Sequence, residues 1–412
     1  MSGNARAGHR RDGWVKAARF AWSLACLASF LGIETARAAD ACVGEASGHP
    51  IASPAGTVLA LVGDIIIQRP SAALITARAP LIARQLSQAD VSFGNFESNS
   101  FDFDGFAGHA RTPADGPLLL APPEVPRELK SLGFSILSTA NNHAGEWGPE
   151  GILATAHTLA GVGLASAGTG ADLRAARAPT CTIVRGTSVG LVAITSSFVA
   201  ADAATADRAG VNALHVGQGV DPDAMDAGDQ QALLASVARA RRSAALVLVS
   251  LHTHQGGVDP QRPTGFEREL AHAVIDAGAD VFVGHGPHVL RGIEIYKGRL
   301  ILYSLGNFAV MQPLARFNPQ PLILPPGSVF TRRAFFESVL VTSRYQKGRL
   351  TELRVYPFEL AQTGKPQTHG LPEAVSPSAG RAILERLAAL SEPLGTQLRV
   401  EGRVGVVRVA AR

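Results

Sequence analysis

The chain has 412 residues, about two to three times the length of a typical single domain, so one large core or two can form. With 46% hydrophobic and 17% charged residues it is neither disordered nor collagen-like. The formal net charge of +4 lies entirely in residues 1–38, where six basic side chains meet two acidic ones; the remainder is formally neutral and has no basic footprint for a nucleic acid.

Residues 1–38 read as a signal peptide. Arg10, Arg11, Lys16 and Arg19 form a positive n-region, Phe20 to Ile33 an apolar run, and Ala36-Arg37-Ala38 an A-x-A cleavage site before Ala39. The apolar run is too short for a comfortable membrane span. The mature chain is therefore expected outside the cytoplasm, periplasmic or secreted, with no membrane span after cleavage. An uncleaved anchor, a lipid attached at Cys26 and a twin-arginine route through Arg10-Arg11 stay open as alternatives. After cleavage only Cys42 and Cys181 remain. They pair in an oxidising compartment, or they are a loose N-terminal thiol and a buried strand cysteine.

After a linker over 39–56, short apolar strands alternate with helical segments, which argues for an α/β fold. Thr57–Val62 is predicted as a buried strand ended by Gly63-Asp64, Ala72–Leu86 as a helix, and Val91–Gly94 as a strand ended by Asn95-Phe96-Glu97. The Asp-, Gly- and Pro-rich stretch from Asn99 to Pro123 is expected to be a long loop. Glu124–Leu132 reads as a helix, Ser135–Thr139 as a strand ended by Ala140-Asn141-Asn142-His143, and Pro149–Gly161 as a helix. Cys181–Arg185 and Ser188–Ile194 form a hairpin, and Val199–Asp229 another long loop. Helix Gln230–Arg242 leads into strand Leu246–Leu251, ended by His252-Thr253-His254; helix Phe266–Ala277 leads into Val281–Val283, ended by Gly284-His285. Hairpins follow at Ile293–Tyr296 with Leu300–Ser304 and at Phe335–Arg344 with Leu350–Phe358, then helix Arg381–Leu390 and a strand pair within Thr396–Val409.

Polar residues able to bind metal recur just after predicted strands: Asp64, Glu97, Asn142 with His143, His252 with His254, and His285 with His288. Ligand sites of α/β sheets gather at the carboxyl ends of strands, so five such ends point to one crevice. Each alone has a plain structural reading: Asp64 as a cap, Asn142 as a turn residue, Gly286-Pro287 between two histidines as a turn-maker. The set contains imidazole, carboxylate and amide oxygen without thiolate. It favours manganese, iron or zinc, as one or two divalent ions, with a nearby imidazole to protonate a leaving oxygen. There is no G-x-S-x-G elbow, no Walker loop and no dinucleotide glycine triplet after a strand.

Five motifs carry a family resemblance: Val62-Gly63-Asp64, Gly94-Asn95-Phe96-Glu97, Ala140-Asn141-Asn142-His143-Ala144, Gly284-His285-Gly286-Pro287-His288-Val289 and Tyr303-Ser304-Leu305-Gly306-Asn307-Phe308. Together they resemble the CapA family, named for capsule poly-γ-glutamate biosynthesis and similar to calcineurin-like metallophosphoesterases. The resemblance implies an αββα sandwich of two mixed sheets flanked by helices. It implies a metallophosphatase domain over 57–310, and a C-terminal hairpin and helix over 311–412 packed on the core. Asp64 would bind a first metal, Glu97 would bridge, and Asn142, His252 and His285 would bind a second, with His288 reaching back to the first. His143 would be the catalytic acid; His254 and Asn95 would meet substrate, His254 alternatively serving as a further ligand. Asn307 would close a turn and Tyr303 lie in the core. The expected function is a metal-dependent hydrolase of an anionic envelope polymer such as poly-γ-glutamate, the alternative being a non-catalytic polymer-binding or export accessory. Three departures leave the first metal with fewer or softer-placed ligands: Ile65 and Ile66 follow Asp64 without the histidine of D-x-H, Glu97 replaces an aspartate, and Gln255 follows His254 where related sequences often carry glutamate. The missing histidine favours the accessory, and the retention of Asp64, Glu97, Asn142, His143, His252 and His285 favours the hydrolase.

Overall fold

The computed structural model of the chain describes residues 56–409 apart from 112–116, 258, 319–330 and 364; the expected signal segment, Cys26 and Cys42 lie outside them. Two mixed sheets pack face to face. The first begins with parallel neighbours β1 (Thr57–Ile66), β2 (Val91–Phe96), β3 (Phe134–Ser138) and β4 (Ala165–Ala167). The second is built from β5 (Thr180–Val184), β6 (Thr187–Thr195), β7 (Leu246–His252), β8 (Val281–His285), β9 (Ile293–Tyr296) and β10 (Arg299–Leu302), in the order β9-β10-β8-β7-β6-β5. Within it β6, β7, β8 and β10 run parallel, and β5 and β9 are antiparallel edges.

The chain then returns to the first sheet through β11 (Asn307–Val310), β12 (Glu337–Gln346), β13 (Arg349–Leu360), β14 (Leu398–Glu401) and β15 (Val404–Val407). β12 lies antiparallel along Thr57–Leu61 of β1, and β11 takes over in parallel along Asp64–Ile66.

Alternation along the strands makes the layers. Leu59 and Leu61 face the second sheet and meet Val189, Leu191, Leu248 and Val283 in one apolar layer. Ala60 and Val62 face the other way. They pack on a helical layer containing α1 (Ala72–Arg78), α2 (Pro80–Gln88), α3 (Glu124–Leu132) and α4 (Gly148–Gly161), through Ile75, Ile82, Leu129 and Leu159. On the second sheet Val247, Val249 and Leu251 meet Val237 of α5 (Ala227–Ser243) and Leu270 of α6 (Gly265–Asp276). α7 (Pro377–Ser391) puts Ile383, Leu384 and Leu387 into the layer between the sheets. Leu248 has no exposed surface, so Leu248→Ala would cost about 2–5 kcal/mol in transfer and cavity terms. The result is the expected αββα sandwich.

Local details depart from the sequence reading. The helix expected over Ala72–Leu86 is broken at Ala79, because Pro80 has no N–H to continue it and pushes Ala79 to φ −127°, ψ 58°. The stretch read as a loop from Asn99 holds a short parallel pairing of Asn99–Ser100 with Leu120–Ala121. α5 starts three residues before Gln230, where Asp226 caps it by accepting from the N–H of Asp229. Asn307 opens a strand instead of closing a turn. Cys181, on β5, is disulfide-bonded. Among the described residues no helix is long and apolar enough to cross a membrane.

Candidate metal centre

The carboxyl ends of β1, β2 and β3 from one sheet and of β7 and β8 from the other converge. Register aligns the residues that matter: Asp64 is beside Asn95 across β1 and β2, and His252 beside His285 across β7 and β8. Two glycines permit the closeness. A Cβ on Gly63 would fall 1.9 Å from the Gly306 carbonyl oxygen, so only glycine lets β1 close on that segment, where the Asp64 N–H donates to Gly306 O at 3.1 Å. Gly286, at φ +102°, would place a Cβ 2.4 Å from Thr253 O, and its N–H donates to Asp64 Oδ2 at 3.1 Å.

Glu97 is the centre of the cluster. Its Oε1 lies 3.7 Å from His143 Nε2, 3.6 Å from His252 Nε2, and 3.9 Å from both His254 Nε2 and His288 Nε2. The residue has no exposed surface, yet among the described residues neither carboxylate oxygen has a hydrogen-bond partner. Both ring nitrogens of buried His285 likewise lack one, although Nδ1 is 3.3 Å from Asp64 Oδ1. Two groups of ligand atoms close enough to share an ion result, Asp64 with Glu97 and His252, and Glu97 with His254 and His288. Glu97 belongs to both. Asn142 Oδ1 is 2.7 Å from His252 Nε2 and 3.2 Å from His254 Nε2, so it adds an amide oxygen to the same crevice.

Asn95, expected at the substrate, is placed otherwise. It is wholly buried; its Nδ2 donates to Asp64 Oδ1 at 2.8 Å and lies 3.1 Å from His252 Nδ1, and its Oδ1 accepts from Asn141 at 3.2 Å. It orients ligands. His254 does face outward, with 36% of its side chain exposed, and its N–H is held by Ser197 Oγ at 2.6 Å. Tyr303 is a core residue whose hydroxyl donates to Glu294 at 2.7 Å.

Sequence reasoning overlooked Glu146. His143 Nδ1–H donates to Glu146 Oε1, while Glu146 Oε2 accepts from the Leu119 N–H at 2.6 Å. The only signal was its position three residues after His143, a spacing that brings side chains together in a helical turn. Asn307, read from the sequence as closing a turn, has a further contact here: its Oδ1 accepts from His288 Nδ1 at 2.7 Å.

The electrostatics suit cation binding. Burial alone would raise the Asp64 carboxyl, but His285 and His288 outweigh it and hold it well below the usual range. Glu97 is opposed by its own burial and by Asp64, yet electrostatic interaction with the imidazoles of His252 and His288 brings it below its ordinary value. Burial pushes His252 down to about 3, which leaves it neutral and able to ligate. Burial also acts to lower His143, and the Glu146 carboxylate more than reverses this. A buried carboxylate without hydrogen bonds among imidazoles is costly by itself. A divalent ion would satisfy Glu97, and the nitrogen–oxygen donor set fits one; His285 belongs to neither group and stands beside Asp64.

Residues 58–312 match the family described as bacterial capsule synthesis protein PGA_cap. The chain is similar to an uncharacterised protein, y4uA, of Sinorhizobium fredii, at 33% identity over 86% of this chain and 93% of that one. It is similar to the capsule biosynthesis protein CapA of Bacillus anthracis, at 31% identity over 50% of this chain and 47% of CapA. A probable polyglutamine synthesis accessory protein of Mycobacterium tuberculosis is 38% identical over 45% of this chain and 47% of its own length.

Proposed function

The chain belongs to the bacterial capsule synthesis family PGA_cap, and from that premise we propose an exported, metal-dependent hydrolase of an anionic envelope polymer such as poly-γ-glutamate. The observation that carries the reading is Glu97, buried with two unpartnered oxygens and facing four imidazole nitrogens at 3.6–3.9 Å. Asp64, Glu97, Asn142, His252, His254, His285 and His288 would hold one or two ions of manganese, iron or zinc. When bound, such an ion supplies Lewis-acid chemistry, polarising a phosphoryl or acyl oxygen and acidifying water.

The chain's own groups do the rest. Glu146 holds His143 by Nδ1, so that Nε2 points toward Glu97 and the reacting centre. As water adds to phosphorus or carbonyl carbon and the bond to the leaving atom breaks, His143 gives that atom its Nε2 proton, and the proton the water sheds restores the ring. His254, half in solvent, is placed to meet an anionic group on the polymer. The disulfide at Cys181 suits the oxidising compartment that export implies.

The second reading is a polymer-binding accessory without turnover. Ile66 favours it, since it stands where the metallophosphoesterase pattern has a histidine, and so does the accessory role named for the mycobacterial relative. Metal analysis of the purified mature chain, followed by a screen with phosphodiester and poly-γ-glutamate substrates, separates the two. Metal uptake with cleavage is the expected result. A metal-replete chain that binds the polymer and cleaves nothing would establish the accessory reading instead.

A further inference from the structure

His288 has a backbone that few non-glycine residues adopt, φ +56°. Asn307, fully buried on β11, holds it at two points and is itself anchored at a third. Its Nδ2 donates to His288 O at 3.2 Å and to Phe335 O at 3.0 Å, and its Oδ1 accepts from His288 Nδ1 at 2.7 Å. The two carbonyls fix which way the amide points, because only the nitrogen end can face them. The oxygen must then face the ring. The other group near Nδ1 is Asp64 Oδ2 at 3.3 Å, also an acceptor. With acceptors facing Nδ1, that atom keeps its proton, and Nε2, which faces Glu97 Oε1 at 3.9 Å, is the nitrogen left to meet a metal ion.

We infer that Asn307 is a positioning residue that fixes the ring of His288, so that Nε2 and not Nδ1 is offered to a metal ion. The inference rests on the metal-site reading above. It gives the Ser304-Leu305-Gly306-Asn307 turn a task in the crevice, delivered from a strand that lines β1.

Mn2+ affinity is measured by calorimetric titration for the wild-type chain, Asn307→Ala and Asn307→Asp, with unfolding followed in each. Asn307→Ala is expected to weaken binding about 10–100-fold, as loss of an orienting partner does. Asn307→Asp keeps an acceptor for Nδ1 and loses both donors, so it should hold most of the affinity while unfolding earlier. Affinity lost in Asn307→Asp as fully as in Asn307→Ala, or retained in both, overturns the inference and leaves the metal site standing. A wild-type chain that takes up no Mn2+ or Zn2+ overturns both. Should Asn307→Ala not fold, nitrogen-15 spectra of histidine-labelled, zinc-loaded wild type decide: a protonated Nδ1 and a metal-bound Nε2 on His288 are expected, and the opposite assignment overturns the inference.

Discussion

Glu97 and Asp280 are both carboxylates without exposed surface, at opposite ends of the sandwich. Asp280, just before β8, is fully engaged: it accepts from Arg241 Nη1 at 2.7 Å, from the Val247 N–H at 2.8 Å and from Arg299. Glu97, just past β2, has no hydrogen bond on either oxygen among the described residues. A buried charge needed only for folding gathers partners, since leaving it unpaired is costly. One kept unpaired, with imidazoles arranged around it, is held for a ligand that arrives later. Between these extremes stands Glu146, whose two oxygens serve His143 and the Leu119 N–H.

The largest effect that tests this contrast is expected at His143, which touches both kinds of carboxylate. In the hydrolase reading His143→Ala lowers turnover about 10²–10⁴-fold, the usual worth of a general acid. Metal content stays at the wild-type level because the ring is tied to Glu146 and not needed to hold the ion. A substrate with a good leaving group should recover much of the rate. Loss of metal together with rate would move His143 into the ligand set. Glu97→Gln follows in size. It should weaken Mn2+ binding by at least about 100-fold, the upper range for losing a mere orienting partner, while the metal-free chain unfolds no earlier than wild type. Earlier unfolding without metal would mean that Glu97 is a structural carboxylate like Asp280.

Much of this site was legible because a strand reveals its end. Apolar runs stopping at Asp64, Glu97, Asn142, His252 and His285 placed five polar groups at one edge before any contact was known. What was not legible has identifiable causes. Glu146 and Asn307 act through geometry created by tertiary packing: the first by a turn closing over Leu119, the second by β11 sliding alongside β1. The pairing of β12 with β1 joins residues such as Thr57 and Tyr345 that are far apart in the chain, and no local period announces it. Asn95 looked like a substrate contact because it sits in a motif, but a motif does not say which side of a strand faces solvent. Pro80 breaks an otherwise continuous helical pattern, since the apolar period runs on through it while the backbone does not.

The smallest effect is the one that closes the comparison from the other side. Asp280→Ala removes a buried charge, but Arg241 and Arg299 are 32% and 34% exposed and can turn to water. The group left stranded is the Val247 N–H, which accepts no substitute from solvent at the buried foot of β7. The cost should therefore be that of an unmade buried hydrogen bond, about 1–3 kcal/mol, and not the larger penalty of an orphaned interior charge. Urea unfolding of the metal-free protein reads it, with the midpoint lowered and the slope unchanged. Mn2+ affinity of the folded variant should match wild type, since Asp280 lies at the far end of β8 from His285. A variant that kept its stability but lost metal would mean that the carboxylate rich in partners also serves the crevice, and the distinction between the two ends would fail.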